Sequence, residues 1–139
     1  MIRLAKKEDL DIIMPEIQKV KEEMHESGNP QWGYTPEEYP SKEDFLEDIA
    51  NNSLYVFEEN AQIKGLVCIK EDTEYEYDSY IQNSHERAFV LHRMAVFLDY
   101  RGEHISQKLF KYADNLAKEN HISLLKADTE VQNQKMNAI

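Results

Sequence analysis

"AFVLHRMAVFLDYRGEHISQKLFKYADNLAKE", residues 88–119, decides how this chain folds. Its opening run, 88–98, is almost continuously apolar, as expected of a central strand covered on both faces. Further on, Ile105, Leu109, Ala113 and Leu116 recur at helical spacing and predict a helix ending near Asn120. Between them lies a tight turn. A strand feeding a turn and then a helix presents unpaired backbone N–H groups at the positive end of the helix dipole, an arrangement that binds anions without basic side chains. A plainer reading stands beside it: an ordinary helix start, with Asp99 as cap and Glu103 in the first turn.

The pattern continues on both sides. "IRLA" (2–5) reads as a short first strand, and Leu10, Ile13, Ile17, Val20 and Met24 mark a helix that opens near Asp9. "QWGYTPEEYP" (31–40) is a loop by its prolines and Gly33. Ser41 and Asp44 resemble a capping box at the start of a short helix through "FLEDIA". "SLYVFEE" (53–59) and "QIKGLVCIKE" (62–71) form a hairpin with its turn at Glu59–Ala61. The polar, acidic residues 71–87 read as a long loop or the frayed end of that hairpin. "ISLLKAD" (122–128) is another buried strand, and "NQKMNAI" (133–139) starts a helix. The order β-α-α-β-β-β-α-β-α predicts a single α/β layered domain over 1–139 with mixed strand directions.

Composition narrows the function classes. With 16 Lys and Arg against 27 Asp and Glu, the net charge of −11 speaks against nucleic acid and disfavours anionic membranes. No stretch reaches bilayer-spanning length, and the start lacks the apolar centre of a signal peptide, so the expected compartment is the cytoplasm. Cys68, the one cysteine, reads as an inert core thiol. The five histidines show no metal-ligand spacing, so no metal is expected.

The strand ending in "MAV", the arginine-initiated turn, the amphipathic helix, the next strand and the Asn that follows it together resemble the GCN5-related N-acetyltransferase (GNAT) superfamily. The amino-terminal half is similar too, through its Gln-Trp, its Tyr-Pro and a hairpin with an internal Gly. The resemblance covers essentially the whole chain and implies the GNAT fold, a mixed sheet flanked by helices. It also implies acetyl-CoA as co-substrate, its pyrophosphate held by the turn amides of Arg101, Gly102, Glu103, His104, Ile105 and Ser106. The family's turn runs Arg/Gln-x-x-Gly-x-Gly/Ala, so His104 stands where a glycine belongs and Ser106 supplies the small residue. His104 gives up glycine's conformational freedom, and when protonated it can instead lie against a phosphate; a solvent-facing histidine of no consequence is the other reading. Met94, Ala95 and Val96 would pair with the pantetheine arm through main chain, and Asn133 would contact that arm or cap its helix.

Acetyl transfer to an amine needs a base, because a lysine-like amine with a pKa of about 10.4 arrives protonated, and an acid for the departing thiolate. Glu86, His92 and Glu130 are candidate bases. His92 also reads as a satisfied core histidine, and Glu86 as a solvated residue ahead of its strand. In the family the acid is commonly a Tyr whose place falls just beyond Ile139, so the closing elements of the fold are expected to be missing. A domain ending there would expose core surface, which points to association, including a homodimer, or to reduced stability. Trp32, Tyr34 and Tyr39 could wall an amine pocket, with Glu71, Asp72, Glu74, Glu76 and Asp78 drawing in a cation; packing and ordinary solvation are the plainer alternatives. The expected function is acetyl transfer from acetyl-CoA to a primary amine of a small molecule or peptide, by direct attack in a ternary complex. The rivals are a non-catalytic acyl-CoA-binding or interaction domain on the same fold and an unrelated nucleotide-binding module, the latter disfavoured by the lack of a Rossmann or P-loop glycine pattern.

Overall fold

A computed structural model describes residues 1–72, 88–122 and 124–127 of the chain. Its elements are β1 (Ile2–Leu4), α1 (Leu10–Glu26), α2 (Lys42–Ala50), β2 (Leu54–Glu59), β3 (Gln62–Asp72), β4 (Ala88–Val96), α3 (Ile105–Glu119) and β5 (Leu124–Ala127). The strands form one sheet in sequence order, antiparallel throughout except for the parallel β4–β5 pair. This is the expected α/β architecture through the fifth strand. The helix read at 133–139 lies outside the described residues, as do 73–87.

Helix α3 covers one face of the sheet. Ile105, Leu109 and Ala113 pack there with Phe57, Val67, Leu91 and Met94. Helices α1 and α2 cover the other, where Ile13, Ile17 and Phe45 meet Leu54, Leu66 and Ala95. β4 therefore has apolar cover on both sides, which explains a hydrophobic run interrupted only by His92 and Arg93.

Local chemistry sets the element ends. Ser41 and Asp44 do form a capping box: the Ser41 N–H donates to Asp44 Oδ2 at 2.7 Å, and the Asp44 N–H donates to Ser41 Oγ at 3.4 Å. The β2–β3 hairpin turns on Asn60 and Ala61, with φ of 56° and 63°. Two successive positive φ values give the mirror-image turn that matches strand twist. At the amino terminus a 3₁₀ turn, Lys7–Asp9, precedes α1, so the helix opens at Leu10, one residue after Asp9. Arg3 forks between Asp9 (2.8 and 3.1 Å) and Glu58 (3.1 Å), clamping β1 to β2 and to that turn. β4 stops at Val96, two residues short of the sequence reading, because Leu98–Tyr100 closes into a 3₁₀ turn.

Candidate active site

Among the described residues, strand pairing leaves part of β4 with a neighbour on one side only. β5 runs beside β4 only from Ala88 to Leu91. Past Leu91 the described part of β5 ends, and no other described strand lies on that side of β4. On its other side β4 stays paired with β3, through Leu66↔Ala95 and Gly65↔Val96. The Phe97 N–H donates to the Lys64 carbonyl at 2.9 Å. Antiparallel pairs alternate in hydrogen bonding, so Ala95 is bonded to Leu66 while Met94 and Val96 turn their N–H and C=O groups away from β3. Of the three residues that the sequence picks out for this edge, Met94 and Val96 thus face away from β3 and Ala95 bonds to it.

A β-bulge lies just before this edge. Between Leu66↔Ala95 and Cys68↔His92, β3 has one residue, Val67, and β4 has two, Arg93 and Met94. Its effect shows in the packing: Leu91 and Met94, three residues apart, both join the α3-side core. Arg93 is left-handed (φ 51°) and reaches the opposite face. There its guanidinium takes both oxygens of Asp48 on α2, at 2.8 and 2.5 Å. A third donor, Nη1, meets the Tyr39 hydroxyl at 3.1 Å. Lys70 stands 3.4 Å from the same carboxylate. His92 is half-buried and pairs across the sheet with Cys68, so it shares this face.

The turn after β4 carries the second half of the site. Gly102 (φ 91°) and His104 (φ 60°, ψ 30°) are both left-handed, and His104 is the residue before the first turn of α3. The backbone therefore takes the conformation a glycine would give it, with a histidine in place and its side chain exposed. His104 makes no side-chain cap, so among the described residues the first amides of α3 have neither an intrahelical acceptor nor a capping side chain. Ser106 is 1% exposed and its Oγ has no partner among the described residues. A buried hydroxyl beside open helix amides is the feature an anionic ligand would satisfy.

The charged side chains of the turn are engaged elsewhere. Arg101 Nε donates to the Val96 carbonyl at 3.2 Å and Nη1 to Glu23 on α1 at 2.5 Å. Arg101 fastens the turn to the end of β4 and to α1. Lys64, almost fully buried, holds Glu103 at 3.1 Å and Glu59 at 2.8 Å, which compensates the turn's carboxylate. Gly65 lets β3, β4 and α3 meet: a Cβ there would lie 2.9 Å from the Ala95 carbonyl oxygen and 3.2 Å from Ile105 Cγ2.

The other expected positions are scattered. Trp32 is buried in the α1/α2-side core with Val20 and Phe45, so packing accounts for it. Tyr34 is 47% exposed, its ring 4.5 Å from that of His25. Tyr39 is the aromatic of the 31–40 loop that reaches the β4 bulge. Glu86, Glu130 and Asn133 lie outside the described residues, and so do Glu74, Glu76 and Asp78; Glu71 and Asp72 end β3. Cys68 is fully buried, and burial pushes its thiol up to about 11. Among the described residues no group of acidic, His or Cys side chains is placed to hold a metal. Nor is any helix among them long and apolar enough to cross a membrane. Sequence reasoning missed Arg93 and Asp48. A lone arginine in an apolar strand was the available signal, since a buried cation needs a partner.

Comparison with known proteins agrees with this geometry. The acetyltransferase (GNAT) family model matches residues 18–139. A solved Staphylococcus aureus protein assigned as an acetyltransferase is 34% identical, with 93% of this chain aligned to 79% of that one at a TM-score of 0.69. A GNAT-family acetyltransferase from Streptococcus agalactiae is 27% identical over 80% of this chain and 66% of that one, TM-score 0.68. A predicted acetyltransferase from Clostridium acetobutylicum, solved with acetyl-CoA, shares the fold at 21% identity, covering 93% and 80% of the two chains with a TM-score of 0.64. No curated protein matches the chain. With nearly nine-tenths of its length inside the family model, the chain belongs to the GNAT acetyltransferases.

Proposed function

We propose that this protein is an acetyl-CoA-dependent N-acetyltransferase acting on a primary amine of a small molecule or peptide. The observation that carries the reading is the junction of two backbone surfaces that no other described strand covers, the Val96 carbonyl alone being taken, by Arg101. One is the β4 edge at Met94 and Val96; the other is the left-handed turn into α3, with the orphaned Ser106 hydroxyl beside it. An extended amide-bearing arm suits the first and a pyrophosphate the second. Acetyl-CoA has both, and it supplies an acetyl thioester open to attack by an amine. The solved Clostridium relative with acetyl-CoA supports the choice of ligand.

The chain's own residues then have distinct tasks. Met94 and Val96 orient the arm through main chain, and the amides from Gly102 to Ser106 receive the phosphates. Direct attack forms a C–N bond and breaks the C–S bond; the amine gives up a proton and the thiolate takes one. His92, half-buried on the α1/α2 face next to the bulge, is proposed to accept the amine's proton. Tyr39 and Tyr34, on the loop ahead of α2, are proposed to border the acceptor. A non-catalytic CoA-binding domain is the second reading, favoured by the left-handed His104 in a turn that elsewhere in the family has glycine. Thiol release from acetyl-CoA with a panel of amines tests the proposal. Turnover with at least one amine, reduced by His92→Gln, is the expected result. CoA binding without turnover across small amines and amino-terminal peptides would favour the second reading.

A further inference from the structure

We infer that the buried Asp48–Arg93 pair is a positioning element for the cofactor-binding edge of β4, one that pins the strand's bulge to α2. The inference rests on the cofactor reading above. Its basis is a coincidence of three features within a few residues. The described β4–β5 pairing runs to Leu91, the bulge occupies Arg93 and Met94, and the edge residues proposed for the cofactor arm begin at Met94. A bulge at this level decides which way the Met94 and Val96 amides face.

A bulge needs something to hold it. Arg93 is a bulky residue in left-handed backbone, a conformation that persists when the surroundings over-determine it. Its surroundings do so. Asp48 is completely buried on α2 and offers both oxygens to the Nε and Nη2 fork at 2.8 and 2.5 Å. A bidentate fork fixes orientation as well as distance, which a lysine cannot reproduce. Nη2 also lies 3.9 Å from Cys68 Sγ, and Nη1 reaches Tyr39, joining the bulge to the loop proposed to border the acceptor. Flattening the bulge would withdraw Arg93 from Asp48 and leave the buried carboxylate with only the longer Lys70 contact at 3.4 Å. The pair therefore makes the bulged register the stable one.

Arg93→Lys tests this by two independent readouts. The first is amide hydrogen exchange, which needs no ligand. Ala95, bonded across to β3, should exchange roughly ten-fold faster in the variant, while Val56 on β2 keeps its protection. The second is calorimetry with acetyl-CoA and with adenosine 3′-phosphate 5′-diphosphate, which lacks the pantetheine arm. Acetyl-CoA affinity should fall roughly ten-fold while the nucleotide fragment stays within about two-fold, because the fragment engages only the α3 turn. Unchanged Ala95 exchange, or an equal loss of protection in every strand, overturns the inference. Equal weakening of both ligands overturns it as well. Wild-type protein that binds neither ligand would sink the cofactor reading, and the exchange measurement would still decide the role of the pair. Should Arg93→Lys not fold, Asp48→Asn/Arg93→Gln carries the same tests, since it leaves no unpaired buried charge.

Discussion

Gly65→Ala is the perturbation that reaches every part of the proposed cradle at once. The new Cβ would sit 2.9 Å from the Ala95 carbonyl oxygen and 3.2 Å from Ile105 Cγ2. The first contact is about 0.5 Å inside ordinary van der Waals separation, and its partner is backbone already bonded to β3. Relief must come from moving β4 away from β3 or from lifting the first turn of α3. Overpacking of this kind costs about 1–3 kcal/mol, and the smaller unfolded-state entropy of Ala returns about 0.4–1 kcal/mol. A net loss of roughly 1–2 kcal/mol follows, visible as a lower urea midpoint with an unchanged slope. The same displacement shifts Val96, opposite Gly65, and the amides opening α3, so acetyl-CoA affinity should fall by about ten-fold or more. Calorimetry at a temperature where both proteins are fully folded measures that fall. Wild-type stability together with wild-type affinity would refute the claim that close approach at Gly65 shapes the site.

His104→Gly removes a side chain from left-handed backbone and should raise stability by about 1 kcal/mol, with acetyl-CoA binding retained or tightened; a loss of affinity would show that the imidazole itself contacts phosphate. Cys68, buried with its thiol raised to about 11, should resist iodoacetamide at pH 8 in the native protein and react promptly once unfolded in urea. Arg3 holds Asp9 and Glu58 below their ordinary values of 3.8 and 4.5, chiefly through hydrogen bonds. Depressed carboxylates stabilise the fold above those values and lose that contribution as pH falls through their folded-state values. The unfolding midpoint should therefore drop below about pH 4, and Arg3→Gln should shrink that drop while lowering the midpoint at pH 7.

The parts of this fold that sequence makes legible are those governed by periodicity and local caps. Ile105, Leu109 and Ala113 announce α3 because one helical face must be apolar to cover the sheet. Ser41 and Asp44 announce α2 because they satisfy each other three residues apart. β4 conceals its bulge for the opposite reason. With both faces covered it shows no alternation, so an extra residue breaks no visible pattern. Asp48 and Arg93 are 45 residues apart, and Arg101 and Glu23 are 78 apart; pairings at such range are set by topology rather than by local spacing. The turn is an intermediate case. Its place after β4 follows from the strand–turn–helix order, but the left-handed state of His104 emerges only when the strand end and the start of α3 are both fixed.

The most direct test of the account is an amide chemical-shift titration of the protein with acetyl-CoA. The cradle predicts saturable shifts at Met94, Val96 and the amides from Gly102 to Gln107, with the β1–β2 pair unmoved. Shifts confined to the cleft of about 470 Å³ at the carboxy-terminal end of α3, between Tyr55, Lys70 and Asn120, would contradict it, as would no shift at millimolar ligand.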